Sequence, residues 1–462
     1  MAVTFTTRRH EAELVTPAAP TPRELKYLSD IDNQSTLRFY ATIVQFFRSQ
    51  PANHNQRPHR DPVAAIRSAL AEALVYYYPV AGRLRELPPD GRLVVECTAE
   101  GVVFVEADAD VSLAQLGEPL LPPYPCVEEL LCDLGDSGVV VGNPLAFFQV
   151  TRFSSGGFAV GVHFCHNMFD GFGLIQFIEA VGDLARGEAQ PTMLPVWERE
   201  LLTSHDQPRI THANLAYEPL SNGAAGTDDA MQMTRPGDMV GRYFFFGPAE
   251  IAAMRSNVPA ELAQSSTVFE ILAAAVWRCR TAALGYAPDQ RVRFMFTCNA
   301  RGRWKRHPPI PRGYYGNAMV WPVAETTAAE LCNNPLGYTL QLVRKAKFDV
   351  NDEYVRSAVD MMALRKWPPL VTEQTYLVSS VTAIGADKID FGWSKAVGSG
   401  IPMTGHIMLK FVSCFMKCKN ADGEDCTVVP MYLPVTAMDK FAAQISVWSK
   451  KPANKKATRS SL

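Results

Sequence analysis

Nowhere in the 462 residues does an apolar run approach the roughly 18 residues a membrane-spanning helix needs, so no such helix is expected. Charge of one sign is lacking as well. Lys and Arg number 45 against 47 Asp and Glu, a net charge of -2. A protein that grips phosphate backbones carries a basic excess, so a nucleic-acid partner is excluded. The N-terminal stretch has Arg8, Arg9 and His10 but no apolar segment after them, and a secretory signal is not expected. There is no short repeat, no glycine-rich dinucleotide fingerprint and no P-loop. The ten cysteines are scattered through apolar runs rather than spaced as a disulfide framework, which fits free thiols in a reducing compartment. Cys414, Cys418 and Cys426 have neither CxxC spacing nor a nearby histidine, so no metal site is expected there.

What remains is ordinary globular composition, 47% hydrophobic and 20% charged, in a chain long enough for two sizeable cores. Residues 39–47 are β-branched and aromatic and predict a strand. Asp61-Pro62 predicts a helix start, with Ile66, Leu70, Leu74 and Tyr77 following at helical spacing. Residues 93–97 and 102–106 predict two strands joined by a turn near Gly101. Residues 145–151 and 157–166 flank Ser154-Ser155-Gly156 as a hairpin would, and a helix follows over 172–184. Proline and polar residues dominate from 186 to 237. Beyond lie a strand at 239–246, a helix at 248–255, and a long helix to Leu284. Ser265-Ser266-Thr267 caps that helix, with Glu270 completing a capping box. Strands are expected at 291–297, 315–322, 376–381 and 407–416, and helices at 328–350 and 436–448. Strands and helices interleave in both halves. The expectation is α/β, with domains at 1–200 and 238–462 and a crossover linker at 201–237.

The strongest chemical signal is His163-Phe164-Cys165-His166-Asn167-Met168-Phe169-Asp170-Gly171-Phe172-Gly173. An apolar strand delivers His166 to its end, and a turn with Asp170 and two glycines leads into a helix. An imidazole so placed can take a proton from an alcohol or amine near neutral pH, as acyl transfer requires. The same spacing also suits a core histidine followed by an aspartate N-cap, and HxxxD alone leaves both open. Asp170 lies four residues on, past a turn, and its carboxylate need not reach the ring.

Asp390-Phe391-Gly392-Trp393-Ser394 stands 220 residues after Asp170. HxxxD near the middle and DFGWG near the end, in this order and at this distance, resemble the plant BAHD acyl-CoA-dependent acyltransferases. Residues 28–32 (Leu-Ser-Asp-Ile-Asp), 78–83 (Tyr-Pro-Val-Ala-Gly-Arg), Asn299-Ala300-Arg301 and Tyr315-Gly316-Asn317 match too, so the resemblance spans essentially the whole chain. Ser394 departs from the usual final glycine. The resemblance implies two similar chloramphenicol-acetyltransferase-like domains, mixed sheets flanked by helices, with a channel between them. It implies acyl-CoA as co-substrate, no bound metal or permanent cofactor, and a monomer. It makes His166 the general base, with Asp170 turned away to pair with Arg301. It assigns Asp390 and Trp393 to structural support, Trp393 also being a candidate pocket residue and oxyanion donor. Ser265, Ser266 and Thr267, at a helix N-terminus, become candidates for CoA contact. Tyr40 and Phe169 are candidate pocket residues.

Arg38-Phe39-Tyr40, residues 195–202 and Tyr314-Tyr315-Gly316-Asn317-Ala318 look like the clade of benzyl alcohol O-benzoyltransferases and related alcohol acyltransferases. That implies benzoyl-CoA and a small alcohol, benzyl alcohol, giving benzyl benzoate, a product that would feed aromatic-ester or salicylic acid metabolism. An acetyl-CoA acetyltransferase for a leaf alcohol such as hexenol is the alternative within the class. An inactive acyl-CoA-binding homologue is the alternative outside it, and the intact His166 and Asp170 argue against that. Ser460-Ser461-Leu462, after a lysine-rich stretch, is similar to the peroxisomal Ser-Lys-Leu address. It implies a peroxisomal import receptor as partner and the peroxisome as location, with the cytoplasm as alternative.

Overall fold

The computed structural model describes residues 3–50, 61–135, 139–220, 229–302, 308–403, 411–420 and 422–450. The tripeptide Ser460-Ser461-Leu462 lies outside them. The fold is built on two large mixed sheets. The first has seven strands, with Tyr40–Ser49, Phe158–Cys165, Ala146–Arg152 and Val102–Ala109 side by side. The predicted hairpin is present, with Thr151 opposite Ala159. The second has six strands, with Met239–Phe246, Asp425–Pro434, Val412–Lys419, Thr375–Ser380, Arg291–Phe296 and Val323–Thr327 in that order.

Helices cover the sheets as their apolar faces require. Pro62–Tyr76 and Gly171–Arg186 bury Ile66, Leu70, Leu74, Leu174, Phe177 and Val181 against the first sheet. Val268–Leu284, Leu336–Asp349 and Val435–Ser449 bury Ile271, Trp277, Leu340, Val343, Met438 and Phe441 against the second. Asp61 caps the first helix by accepting from the Ala64 N–H, and Thr267 caps the long one by accepting from the Glu270 N–H.

Several expectations are corrected. The single helix expected over 328–350 is two, Ala328–Asn333 and Leu336–Asp349, broken where Pro335 removes an N–H. Strands Arg92–Glu96 and Val102–Ala109 do not pair. The first joins a three-stranded sheet with Leu25–Tyr27 and Arg83–Leu87, the second the seven-stranded sheet. Of the expected strand at 315–322 only Met319–Val320 forms. Helix Asp352–Leu364 adds to the expected elements.

One strand departs from the division at 238. Ser394–Gly400 crosses back and pairs with Tyr40–Ser49, Ser394 opposite Ser49 and Gly400 opposite Val44. Gly400 allows this, because a Cβ there would meet the Tyr124 ring at 2.8 Å. The described residues of the crossover segment, 201–220 and 229–237, are strapped down. Leu202, Ala216, Tyr217 and Met231 are buried, the Tyr217 hydroxyl donates to Gln34 Oε1 at 2.7 Å, and Asp360 accepts from the His205 N–H at 3.0 Å.

Candidate active site

His166 follows the last residue of strand Phe158–Cys165, where its N–H donates to the Phe39 carbonyl at 3.0 Å across the strand end. Its ring lies between Phe39 and Phe164, at 5.2 and 5.9 Å between centroids. Nδ1 is buried without a partner of hydrogen-bonding geometry, which leaves Nε2 as the nitrogen that can face the cavity His166 lines. Burial holds the imidazole below its ordinary pKa, with its own carbonyl, the Asp170 carboxylate, the Asn317 side chain and the Asp32 carboxylate pulling the other way. The ring is therefore a neutral base at neutral pH.

The hydrogen bonds of Asp170 go elsewhere than to His166. Its Oδ1 accepts from the Gly173 N–H at 2.9 Å and from Arg301 Nη2 at 3.1 Å. Its Oδ2 accepts from Arg301 Nη1 at 2.6 Å and from the Ala318 N–H at 3.1 Å. It caps helix Gly171–Arg186 and ties that helix to the segment after Asn299. Gly173 makes the approach possible, since a Cβ there would stand 1.9 Å from the Tyr315 carbonyl. Arg301 also donates to the Gly316 carbonyl.

A second buried network, which the motif matches did not reveal, grips the same loop. Asp32, fully buried, accepts at Oδ1 from the Asn317 N–H at 2.9 Å and side chain at 2.8 Å. At Oδ2 it accepts from Ser29 Oγ at 2.6 Å and Arg199 Nη1 at 2.9 Å. Asn317 donates to the His166 carbonyl at 2.8 Å, and Arg199 to the Met168 carbonyl at 3.0 Å. The Arg199 guanidinium sits among Trp197, Tyr315 and Tyr314, at 4.5, 4.9 and 5.3 Å from the ring centres. The sequence signal available was that Asp32, Arg199 and Asn317 each lie in a matched segment, 28–32, 195–202 and 315–317, with nothing to say that the three meet.

The cavity beside His166 measures ≈240 Å³ and lies between the sheets. Tyr40, Thr42, Ile43 and Phe172 wall it from the first half, and Leu377, Ser379, Val412 and Trp321 from the second. Among its described walls Asp170 is the one acid, and both its oxygens are engaged. Thr297 and Ser379 supply hydroxyls, Thr297 Oγ1 donating to Ser379 Oγ at 3.4 Å. A further cavity of ≈510 Å³, with Arg255, Val268, Phe269, Lys417 and Cys426 in its wall, shares Ser380 with the first.

The other expected site residues divide between cavity and core. Tyr40 lines the cavity, its hydroxyl donating to the Pro144 carbonyl at 2.8 Å. Phe169 does not, and that assignment is corrected. It is fully buried in the first core, stacked on Phe177 at 5.7 Å, because the turn sends it inward as the helix begins. Trp393 is likewise corrected as a pocket residue. It packs on the first core beside Phe391 at 5.8 Å, outside the cavity wall, with Nε1 buried and unpartnered. Asp390 accepts at Oδ1 from the Gly392 N–H at 2.7 Å, and its carbonyl accepts from Arg186. Ser265 and Ser266 accept from Arg344 Nη1 at 2.9 and 2.7 Å, while Thr267 and Glu270 cap each other. None of the three lines either cavity, although Val268, next in sequence, lines the second. Among the described residues no group of three or more His, Cys, Asp or Glu could hold a metal ion, and no helix is long and apolar enough to cross a membrane.

A neutral imidazole facing an enclosed, mostly apolar space can deprotonate a hydroxyl there, and nearby hydroxyls can meet an oxyanion. The family model described as the Transferase family matches residues 1–447. Acyl transferase 1 of Oryza sativa subsp. japonica is 52% identical, covering 99% of this chain and 99% of its own. The benzyl alcohol O-benzoyltransferase of Nicotiana tabacum is 47% identical, covering 96% and 93%. Spermidine hydroxycinnamoyltransferase 1 of Oryza sativa subsp. japonica is 46% identical, covering 94% and 98%. The crystal structure of vinorine synthase shares the fold, with a TM-score of 0.70 at 18% identity over 96% of this chain and 99% of that one.

Proposed function

Because the chain belongs to the Transferase family, as a BAHD acyl-CoA-dependent acyltransferase, we propose that it moves a benzoyl group from benzoyl-CoA to benzyl alcohol, giving benzyl benzoate and CoA. His166 accepts the alcohol proton at Nε2, and the oxygen attacks the thioester carbonyl. Ser379 donates to the oxyanion while accepting from Thr297. Collapse expels CoA thiolate, which takes the proton back from His166. Asp170, Arg301, Asn317 and Asp32 hold the loop that aims the ring.

The observation that carries this reading is the character of the wall beside His166. A polyamine acceptor, as named for the rice spermidine relative, is cationic and needs a carboxylate to receive it. The described wall offers Asp170 alone, already saturated by Arg301 and two backbone N–H groups. A small neutral alcohol has no such need. Tyr40, Phe172 and Leu377 suit an aromatic or aliphatic one, and the tobacco benzyl alcohol relative supports the aromatic choice. The protein acts as a monomer in the peroxisome, entering by its C-terminal Ser460-Ser461-Leu462. A fluorescent fusion with and without those three residues tests that address, and cytosolic signal from both would refute it.

The reaction itself is tested by end-point assay of purified protein against benzoyl-, acetyl- and hydroxycinnamoyl-CoA with benzyl alcohol, hexenol and spermidine. Benzyl benzoate as main product, falling about 100- to 10,000-fold in His166→Ala, is expected. Amide formation with spermidine as the main activity would overturn the acceptor assignment. Activity that survives His166→Ala would overturn the mechanism.

A further inference from the structure

Cys418 and Cys426 play no part in the chemistry above, and their spacing suits no metal. The fold nevertheless brings them together. Strands Val412–Lys419 and Asp425–Pro434 form a hairpin whose register sets Cys418 directly opposite Cys426. The turn is closed by the Asn420 N–H donating to the Glu424 carbonyl at 2.9 Å and the Gly423 N–H to the Asn420 carbonyl at 3.0 Å. Both cysteines are free thiols, and their Sγ atoms lie 2.6 Å apart. Residues directly opposite in an antiparallel pair have Cα atoms about 4.5–5.5 Å apart, inside the span a disulfide bridges without backbone movement. Cys418 is half-buried, and Cys426 is buried in the wall of the larger cavity that meets the reaction cavity at Ser380.

We propose that Cys418 and Cys426 are a reversible dithiol–disulfide site that takes a peroxide as oxidant. Cys418, the more accessible, attacks one peroxide oxygen. The O–O bond breaks, and Cys418 becomes a sulfenic acid as one water leaves. Cys426 then attacks the Cys418 sulfur, the S–S bond forms, the S–O bond breaks, and a second water leaves. Two thiols lose two hydrogens and one peroxide becomes two waters. Burial and contact with Cys426 hold the Cys418 thiol protonated, and burial raises Cys426 too, against the Cys418 contact that lowers it, so the first step is slow and the oxidant must be in excess. The second step is fast because the attacking sulfur is already in contact. The bridge closes a hairpin that already exists, so it needs no refolding and a thiol reductant reverses it.

The test is peptide mapping of the native enzyme after excess hydrogen peroxide, followed by alkylation. The expected result is a peptide pair carrying both cysteines that has lost two hydrogens and takes no alkylating tag. Two tags return after treatment with dithiothreitol. Amide hydrogen exchange over 412–434 slows in the oxidised form. In Cys426→Ser, Cys418 is expected to accumulate as a sulfenic acid captured by a dimedone probe. Two fully alkylatable thiols at a peroxide level that oxidises glutathione, or Cys418 passing to sulfinic acid with Cys426 still free, would overturn the proposal. None of these readouts depends on which alcohol the enzyme esterifies.

Discussion

Two segments stand out in this chain, His166–Gly173 and Asp390–Ser394, and the structure treats them oppositely. The first is gripped from distant parts of the sequence, by Asp32, Arg199, Arg301 and Asn317, and every grip is buried or nearly so. The second has no buried ion pair of its own: it is held by the Gly392 N–H on Asp390, Arg186 on the Asp390 carbonyl, the Gln50 N–H on the Trp393 carbonyl, and Phe391 packed on Phe47 in the first core. Their surroundings differ too. His166 borders a cavity. Asp390 leads into the strand Ser394–Gly400, which crosses between the halves. The glycine-bearing sequences look equally purposeful, but one aims an imidazole and the other starts a latch.

Removing the acid of each segment gives the widest separation. Asp170→Ala strands the Arg301 guanidinium, whose side chain is 17% exposed, and frees the Gly173 and Ala318 N–H groups. A loss of about 3–5 kcal/mol is expected from urea unfolding, with activity lost too. Asp390→Ala removes an exposed carboxylate from one turn N–H, and less than about 1 kcal/mol is expected. Equal costs would break the comparison.

The loop can also be loosened without touching a charge. Asn317→Ala removes the donor to the His166 carbonyl and one of the donors to Asp32. Because Asn317 acts on His166 through its carbonyl and beside its ring, kcat is expected to fall about 10- to 100-fold while the KM for acyl-CoA holds. A fall in KM and kcat together, or in thermal stability alone, would remove Asn317 from the positioning role.

A pH profile separates the segments by titration. Burial disfavours the charged form of His166, so protonation needs a lower pH than for a free imidazole, near 6.5. As pH falls through about 6.5, kcat/KM is expected to hold, dropping only below it. Asp390→Asn is expected to leave that acid limb where it is. An acid limb above about 7 would contradict the buried, neutral ring.

Local chemistry was legible in the sequence where its causes are local. Asp61-Pro62 and Thr267 with Glu270 start helices because capping is settled within about four residues. His166 at a strand end was legible for the same reason. Partners chosen across the chain were not. Residues 92–96 and 102–109 are equally strand-like, and nothing near them says that they enter different sheets. Ser394–Gly400 lacks alternating apolar residues, and its pairing depends on Gly398 and Gly400, which let it lie against Leu120 and Tyr124. The Asp32–Asn317 bond spans 285 residues. Phe169 and Phe172 are both aromatic and three residues apart, and the turn before the helix sends the first into the core while the helix's first turn leaves the other, 37% exposed, at the cavity.

The smallest effect is expected at the most conspicuous residue of the second segment. Trp393 has a donor, Nε1, that could serve an oxyanion if it reached one. It is buried without a partner, the ring packs beside Phe391, and the residue is absent from the wall of the cavity that holds His166. Trp393→Phe keeps an aromatic ring there and deletes the donor. Losing an unpaired buried N–H costs nothing in hydrogen bonding, and the smaller ring leaves a modest void, so a destabilisation within about 1.5 kcal/mol is expected. Turnover and acyl preference are expected to stay within about two-fold, against a loss of about 100-fold or more if the indole held the oxyanion. Ser379→Ala is the matched variant, because Ser379 does line that cavity and bonds to Thr297. If Ser379→Ala falls and Trp393→Phe does not, oxyanion support belongs to the second sheet's hydroxyls. If the order is reversed, the indole must swing into the cavity on substrate binding, and the contrast between a segment that aims and one that latches fails.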